Sequence, residues 1–388
     1  MKVLIIQPWI RLGGAETVSV NLAYELQRLG HQVAIVCTYF DGAGMPEKAC
    51  QIDYRLPPAW ISRLIRMRRA LFLLLSPWVL LCLAWRYSSG ADVLNPHEFP
   101  SSWIAVLVSA IRGIPVVWSS YGPPPRLHIR EARRVGLGDW LGWRIASSWL
   151  DRLMVKQIAA IHVPSKRSRD QVWERYQRVA AVIPLGVDAA FYGGGTGSHT
   201  LLRHGANGRP VLLSVGKLHP QENHAVCLRV LKRILPIYPE ACLVIAGDGP
   251  LLQYYQDLAE ELGIADRVRF LGHLPCWEVR ELYQCCHVHL YPPKNESWGL
   301  APFEALCAGR VSIVSRESGA AEVIGGRGIG VVSEPTAEAF ARHLQEVLDD
   351  PKGHLRMALE GRDYVAGHLT WRQHATSFLD VVRDACRE

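Results

Sequence analysis

The sequence predicts an α/β protein made of two doubly wound parallel sheets. Three observations point there. Short apolar runs of strand length alternate with helical patterns over nearly the whole chain, glycine turns follow several of those runs and open helices, and a glycine-rich polar stretch divides the chain near its middle. With 388 residues and 49% apolar composition the chain can fill two cores, because single domains run about 100 to 200 residues.

Residues 3–6 form the first strand and not a secretory signal, since Lys2-Val-Leu-Ile-Ile6 stops at Gln7-Pro8 and meets the Gly13-Gly14 turn. A helix at 15–29 closes at Gly30, and a second strand covers 32–37. Further on, 92–95 reads as a strand end, 103–111 as a helix, and 116–118 as a buried strand leading into Tyr121-Gly-Pro-Pro-Pro-Arg126. Residues 159–163 and 182–184 complete the first sheet, so the first domain is set at 1–190. The segment 191–208, with Gly193-Gly194-Gly195-Thr-Gly197, packs poorly and reads as a linker.

The second domain is set at 209–370. Its strands are read at 211–215, 241–246, 268–271, 288–291, 311–314 and 328–332, separated by helical patterns such as 225–235 and 336–348. Residues 371–388 are expected to form a helix returning to the first domain. Two such domains on one linker are expected to face each other across a cleft at their carboxyl edges, where ligands of open α/β sheets bind.

Ten cysteines show no paired metal-ligand spacing: Cys285 and Cys286 are adjacent and the others scattered. They read as reduced residues of a cytosolic protein. The net charge of +7 is unevenly spread. The first 190 residues carry 23 Lys and Arg against 13 Asp and Glu, and the remainder 20 against 23. Between Asp53 and Asp92 lie six arginines and no acid. Four of them (Arg63, Arg66, Arg68, Arg69) lead into the apolar run 70–85, which contains Pro77 and is edged by Trp78, Trp85 and Tyr87. That run falls short of the roughly 20 residues a spanning helix needs. Segment 60–88 therefore reads as an interfacial helix on an anionic membrane surface, or alternatively as a core helix with a solvated basic leader. Nucleic acid is a weaker explanation of the charge, because no nucleic-acid motif accompanies it.

The chemistry centres on Tyr291-Pro-Pro-Lys294-Asn-Glu296-Ser-Trp298-Gly299-Leu300-Ala-Pro-Phe-Glu304. A strand ends at Tyr291, stopped by two prolines, and a helix opens after Gly299 whose side chains lean back toward its start. Glu304 can thus point toward the loop bearing Glu296, and two carboxylates beside helix-start amides suit hydroxyls and phosphate. Taken alone, the pair reads as a solvated helix residue and an incidental loop acid. Four further patterns accompany it: Gly13-Gly14-Ala15-Glu16, Gly216-Lys217-Leu-His219, Gly247-Asp-Gly249-Pro and Ser318-Gly319-Ala320-Ala321-Glu322. Adjacent glycines are not the GxGxxG spacing of dinucleotide folds, which argues against an NAD enzyme.

In this order the patterns resemble the retaining glycosyltransferase family 4, of GT-B architecture, over nearly the whole chain. Gly13-Gly14-Ala15-Glu16, Gly30-His31-Gln-Val33, Thr38-Tyr-Phe-Asp41 and Trp118-Ser-Ser-Tyr121-Gly-Pro-Pro-Pro-Arg126 are most similar to mannosyltransferases of the dolichol and polyprenol pathways. The resemblance implies that Glu296 contacts the donor sugar and supports its leaving geometry, and that Glu304 binds the ribose. It places Gly14, Gly299, Leu300, Ala320 and Ala321 at the donor, with Gly14, Ala320 and Ala321 offering amides. It implies retention of anomeric configuration without a metal ion or other cofactor, the protein stabilising a departing nucleoside diphosphate with cations and oriented amides.

Two departures matter. The family places an arginine and, five residues on, a lysine around the diphosphate; here stand Lys217 and Glu222. Lys217 keeps one charge as a point donor, with His219, Lys294 or Arg310 as replacements for the other. The histidine common in the loop at Tyr121 is missing, which makes His97 the nearest acceptor-side base, with Tyr121 and Arg126 beside the acceptor. The plainer reading of His97 is a cap for the helix near Ser101.

The expected activity is transfer of a hexose, mannose favoured, from a GDP- or UDP-sugar to a lipid-linked or amphiphilic acceptor, by a protein peripheral on the cytoplasmic face of a membrane. A soluble small-molecule acceptor and a degenerate, non-catalytic binding protein are the alternatives.

Overall fold

The computed structural model describes residues 1–11, 13–67, 69–121, 149–195 and 210–387. The chain forms two compact units: Met1–Gly186 with Trp371–Glu388, and Val187–Thr370.

The first unit is a parallel sheet. Strands β1 (Lys2–Ile6), β2 (Gln32–Val36), β3 (Asp53–Arg55) and β4 (Val93–Pro96) pair in the order β3-β2-β1-β4. Strands β5 (Val117–Ser119), β6 (Ala160–Val163) and β7 (Ala181–Val182) continue it, joined to β4 through bridges Leu94 to Val116 and His97 to Ser119. Continuous apolar runs such as Val3-Leu4-Ile5-Ile6, each at most 1% exposed, fit a strand covered on both faces. Helix α1 (Gly14–Arg28) lies on one side with the last helix of the chain. Among the described residues of the unit there are also helices α2 (Ala59–Met67), α3 (Arg69–Tyr87), α4 (Ser101–Arg112), α5 (Trp149–Lys156) and α6 (Lys166–Tyr176).

The basic segment is the pair α2 and α3, and α3 runs through Pro77 unbroken. Its second half is core: Leu80, Leu83 and Ala84 are buried with Leu4 and Ile6 of β1. Trp60, Trp78 and Trp85 remain exposed, at 68%, 69% and 40%. Both readings of this segment thus find residues that fit them. Among the described residues no helix is long and apolar enough to cross a membrane.

In the second unit six parallel strands take the order β10-β9-β8-β11-β12-β13. These are β8 (Val211–Val215), β9 (Cys242–Ala246), β10 (Val268–Phe270), β11 (Val288–Tyr291), β12 (Val311–Ser315) and β13 (Val331–Ser333). Helices α7 (Ala189–Gly193), α8 (Ala225–Ile234), α9 (Leu252–Glu261), α10 (Cys276–Cys285), α11 (Ala301–Cys307), α12 (Ala320–Arg327), α13 (Ala337–Asp349) and α14 (Pro351–His368) surround them. One core gathers Leu212, Leu243, Ile245 and Leu290 beneath α8, α9 and α13, and another gathers Leu213, Val244 and Tyr283 on the opposite face.

The linker expected at 191–208 needs one correction. Phe191–Gly193 finish helix α7, because the Asp188 side chain caps it by accepting from the Phe191 amide at 3.1 Å. The rest of that segment, from 196, lies outside the described residues. Helix α15 (Trp371–Ala385) packs on α1 and β6 of the first unit, burying Ala375, Phe378, Leu379 and Val382 against Val3 and Ile5.

Candidate active site

A doubly wound sheet offers its ligand crevice where strand order reverses, beyond the carboxyl ends. In the second unit that place lies between β8 and β11. The loop after β8 carries Lys217, His219 and the 3-10 turn Pro220–Glu222, and the loop after β11 carries Lys294 and Glu296.

Glu296 is held from three directions. The Gln221 side chain donates to its Oε2 at 2.9 Å, while Ser297 Oγ at 3.2 Å and the Trp298 amide at 3.5 Å approach its Oε1. Its backbone is fixed as well, since the Glu296 amide donates to the Glu317 carbonyl at 2.9 Å and its carbonyl accepts from the Gly319 amide at 3.1 Å. Burial raises the carboxyl above the usual range, and the donors around it pull the other way.

Glu304, on α11, is half-buried and accepts from the Tyr283 hydroxyl at 2.9 Å and from the Tyr192 hydroxyl. Tyr291, buried at the end of β11, has its hydroxyl pushed up by burial first and then by Glu296, Glu222 and Glu304. Gly299 has φ +91 because the Tyr291 ring leaves no space for a side chain: a Cβ there would stand 2.5 Å from the ring.

Two sequence expectations for the second unit fail. Ala320 is 0% exposed and its amide donates to the Trp298 carbonyl at 2.8 Å, while the Ala321 amide donates to the Ser318 carbonyl at 3.1 Å. The start of α12 spends its donors on bracing the Glu296 loop and not on a free phosphate cradle. Arg310 precedes β12, at the amino end of the sheet, and its guanidinium donates to the Gln284 carbonyl. A five-residue strand of about 17 Å separates it from the carboxyl edge, so it cannot serve the diphosphate there. Lys217 and Lys294 are exposed on the correct edge.

The first unit reverses its strand order between β1 and β4. Gly14, exposed, opens α1 after β1. A Cβ on the neighbouring Gly13 would stand 2.5 Å from Glu16 Oε2, so the Glu16 carboxyl would have to shift. Trp9 Nε1 donates to the other oxygen of Glu16 at 2.9 Å.

His97 ends β4 and is 0% exposed. The Asn95 Nδ2 donates to the Val117 carbonyl at 2.7 Å, so its Oδ1 faces His97 and accepts from Nε2–H at 2.9 Å. That fixes the tautomer and leaves His97 Nδ1 to accept from the Tyr121 hydroxyl at 2.6 Å. Asn95 also donates to Ser119 Oγ at 2.9 Å, which donates to His162 Nε2 at 2.6 Å. Burial pushes His97 down to about 3, keeping it neutral. His97 is therefore not placed as a base that meets an acceptor, nor as a cap of α4, which has no side-chain cap. It orients Tyr121, and that relation was hidden because no sequence spacing links the two. Arg126 lies outside the described residues.

Known proteins resemble this chain over most of its length. The family model of glycosyltransferase family 4 matches residues 12–191, and that of glycosyl transferases group 1 matches 203–364. A D-inositol 3-phosphate glycosyltransferase of Corynebacterium diphtheriae is 31% identical over 76% of this chain and 71% of its own. A GDP-mannose-dependent alpha-(1-6)-phosphatidylinositol monomannoside mannosyltransferase of Mycolicibacterium smegmatis is 24% identical over 69% of this chain and 76% of its own. Among solved structures, Anabaena Alr3699/HepE in complex with UDP and glucose superposes with TM-score 0.78 at 16% identity, covering 99% of this chain and 100% of that one. The two units are thus the Rossmann-like halves of a GT-B fold, and the chain is a glycosyltransferase belonging to family 4.

Proposed function

We propose that the protein transfers a hexose, mannose first among candidates, from a nucleoside diphosphate sugar to a lipid-linked or amphiphilic acceptor, with retention of configuration. The observation that carries this reading is the gathering of Glu296 and Glu304 around Tyr291 at the strand-order reversal, with Lys217 on the facing loop. An ionised carboxyl has about four acceptor positions. The two tyrosine hydroxyls occupy two on Glu304, which leaves room for a ribose diol, and Glu296 is braced to meet sugar hydroxyls. Lys217 and Lys294 supply charge for the departing diphosphate, and neither a metal nor a cofactor enters the scheme. In the first unit, Gly14, exposed, opens α1, and Tyr121, oriented by His97, is assigned to the acceptor hydroxyl.

Mannose is favoured because the Mycolicibacterium smegmatis relative is named for GDP-mannose. The amphiphilic acceptor is favoured by exposed Trp60, Trp78 and Trp85 beside exposed Arg63 and Arg86, a combination suited to the cytoplasmic leaflet. A second reading, a soluble polar acceptor, is favoured by the Corynebacterium diphtheriae relative named for D-inositol 3-phosphate.

Incubating purified protein with GDP- and UDP-sugars, and with either membrane extract or soluble polyols, tests the proposal. Labelled hexose in the lipid phase supports it, and transfer only to soluble polyols supports the second reading. Neither transfer nor donor hydrolysis from folded protein overturns both.

A further inference from the structure

An acid stands at 222 where the family resemblance calls for a lysine, and the fold fastens it in place. The turn Pro220–Glu222 is tied to the Glu296 loop by three hydrogen bonds. The Lys294 amide donates to the Gln221 carbonyl at 2.8 Å, Gln221 Nε2 donates to Glu296 Oε2 at 2.9 Å, and Asn223 Nδ2 donates to the Pro292 carbonyl at 3.1 Å. Asn223, with φ +56, turns the chain away immediately afterwards. Glu222 folds back over Gly216, its Oε2 lying 3.1 Å from where a Cβ on that residue would stand. Its carboxyl thus sits in the reversal crevice between β8 and β11 and not in open solvent.

Several elements bring titratable groups to it, and His219 and Lys294 are bonded through their backbones to the same turn. Lys217 comes from the loop after β8, Glu296 from the loop after β11, Tyr291 from β11 itself, and Tyr255 from α9, while His224 at the head of α8 lies against the same Gly216. Burial holds His224 neutral, pushing it down to about 4, and raises both tyrosines. Burial first, then repulsion from Glu296, pushes Glu222 up to about 8 against the pull of Lys217. Between the two acids, Glu296 keeps the charge because donors meet both its oxygens. Burial and the neighbouring Glu296 favour the uncharged form of Glu222.

We infer that Glu222, uncharged, donates a hydrogen bond to a phosphate oxygen of the sugar nucleotide, and that losing this proton weakens the hold on the diphosphate. The inference rests on the donor placement proposed above. A carboxyl replaces a fixed cation, and donor binding becomes dependent on pH on the alkaline side of neutrality.

Calorimetric titration of the protein with GDP and with UDP, from pH 7 to pH 9, tests this. The last phosphate ionisation, near pH 6, is largely complete over that range, so ligand charge changes little. Wild type is expected to lose about tenfold in affinity between pH 7 and pH 9. Glu222→Gln, a neutral donor of the same shape, is expected to stay within about threefold of wild type at pH 7 and to show no alkaline loss. Affinity in wild type that is flat with pH, or an alkaline loss retained by Glu222→Gln, overturns the inference while leaving the donor reading intact. Failure of both nucleotides to bind folded wild type at any pH removes the donor reading and this inference together.

Discussion

The side chain of Gln221 donates to Glu296 Oε2 at 2.9 Å, across the gap between the loops that follow β8 and β11. The bond couples the two halves of the strand-order reversal, so the carboxylate is aimed by a residue on a different loop from its own.

Gln221→Ala should therefore lower kcat more than it raises KM for the donor. Loss of one hydrogen bond to a charged group is worth about 1.5 to 3 kcal/mol, or roughly 10- to 150-fold in rate if it is felt in the transition state. Steady-state kinetics with the active donor reads this split, and an unchanged kcat would show that Glu296 needs no such support.

Tyr283→Phe removes the hydroxyl 2.9 Å from Glu304 Oε2 while keeping the buried ring. If Glu304 binds ribose, nucleotide affinity should fall about fivefold, with little change in kcat at saturating donor. Calorimetry with GDP or UDP measures it.

Gly299→Ala tests the packing that shapes the same loop. The new methyl would meet the Tyr291 ring at 2.5 Å in a backbone conformation of φ +91. A loss of about 2 kcal/mol or more is expected in denaturant unfolding. An unaffected midpoint would mean that Tyr291 moves aside freely.

Stability should fall on acidification through the buried histidines of the first unit. Burial lowers His97 to about 3 and His374 to about 4, against 6.5 for the unfolded chain. The unfolded state then binds more protons below pH 6.5. The stabilisation is complete above that value and declines as pH falls toward the folded-state values, by at most about 1.4 kcal/mol per pH unit per histidine. His97→Gln should flatten this slope in denaturant titrations between pH 7 and pH 5. Glu222 acts in the opposite direction, since its raised value near 8 costs stability as pH rises from 4.5.

Chelation offers a simple check on the chemistry. With Lys217 and Lys294 as the charges on the departing diphosphate, transfer should persist in EDTA within about twofold. A loss restored by added divalent cation would show that the lysines do not suffice.

The fold was readable because its strands are unbroken apolar runs and its turns are marked by glycine and proline. Val288–Tyr291, stopped by Pro292 and Pro293, coincides with the strand read from the sequence. What escaped was set by long-range partners. The Ala320 and Ala321 amides looked free because a helix start normally offers donors, yet the Trp298 carbonyl, far away in sequence, takes one of them. Arg310 was expected to replace a missing cation at the diphosphate, but a helix followed by a parallel strand delivers its connecting residue to the amino edge of the sheet. His97 drew attention as the nearest stand-in for the histidine missing from the loop at Tyr121. Its partners Asn95 and Tyr121 converge on it only once β4 and β5 lie side by side.

Helix α15 bears on how this protein is made. Phe378, Leu379 and Val382 fill the apolar face shared by β1, β2 and α1, so the first unit is completed by a helix synthesised only after the second unit. At about 5 to 20 residues per second, a ribosome needs on the order of ten seconds or more to read the second unit before that gap can be plugged. Throughout that interval the emerging chain carries an unsealed oily surface, a natural target for a chaperone.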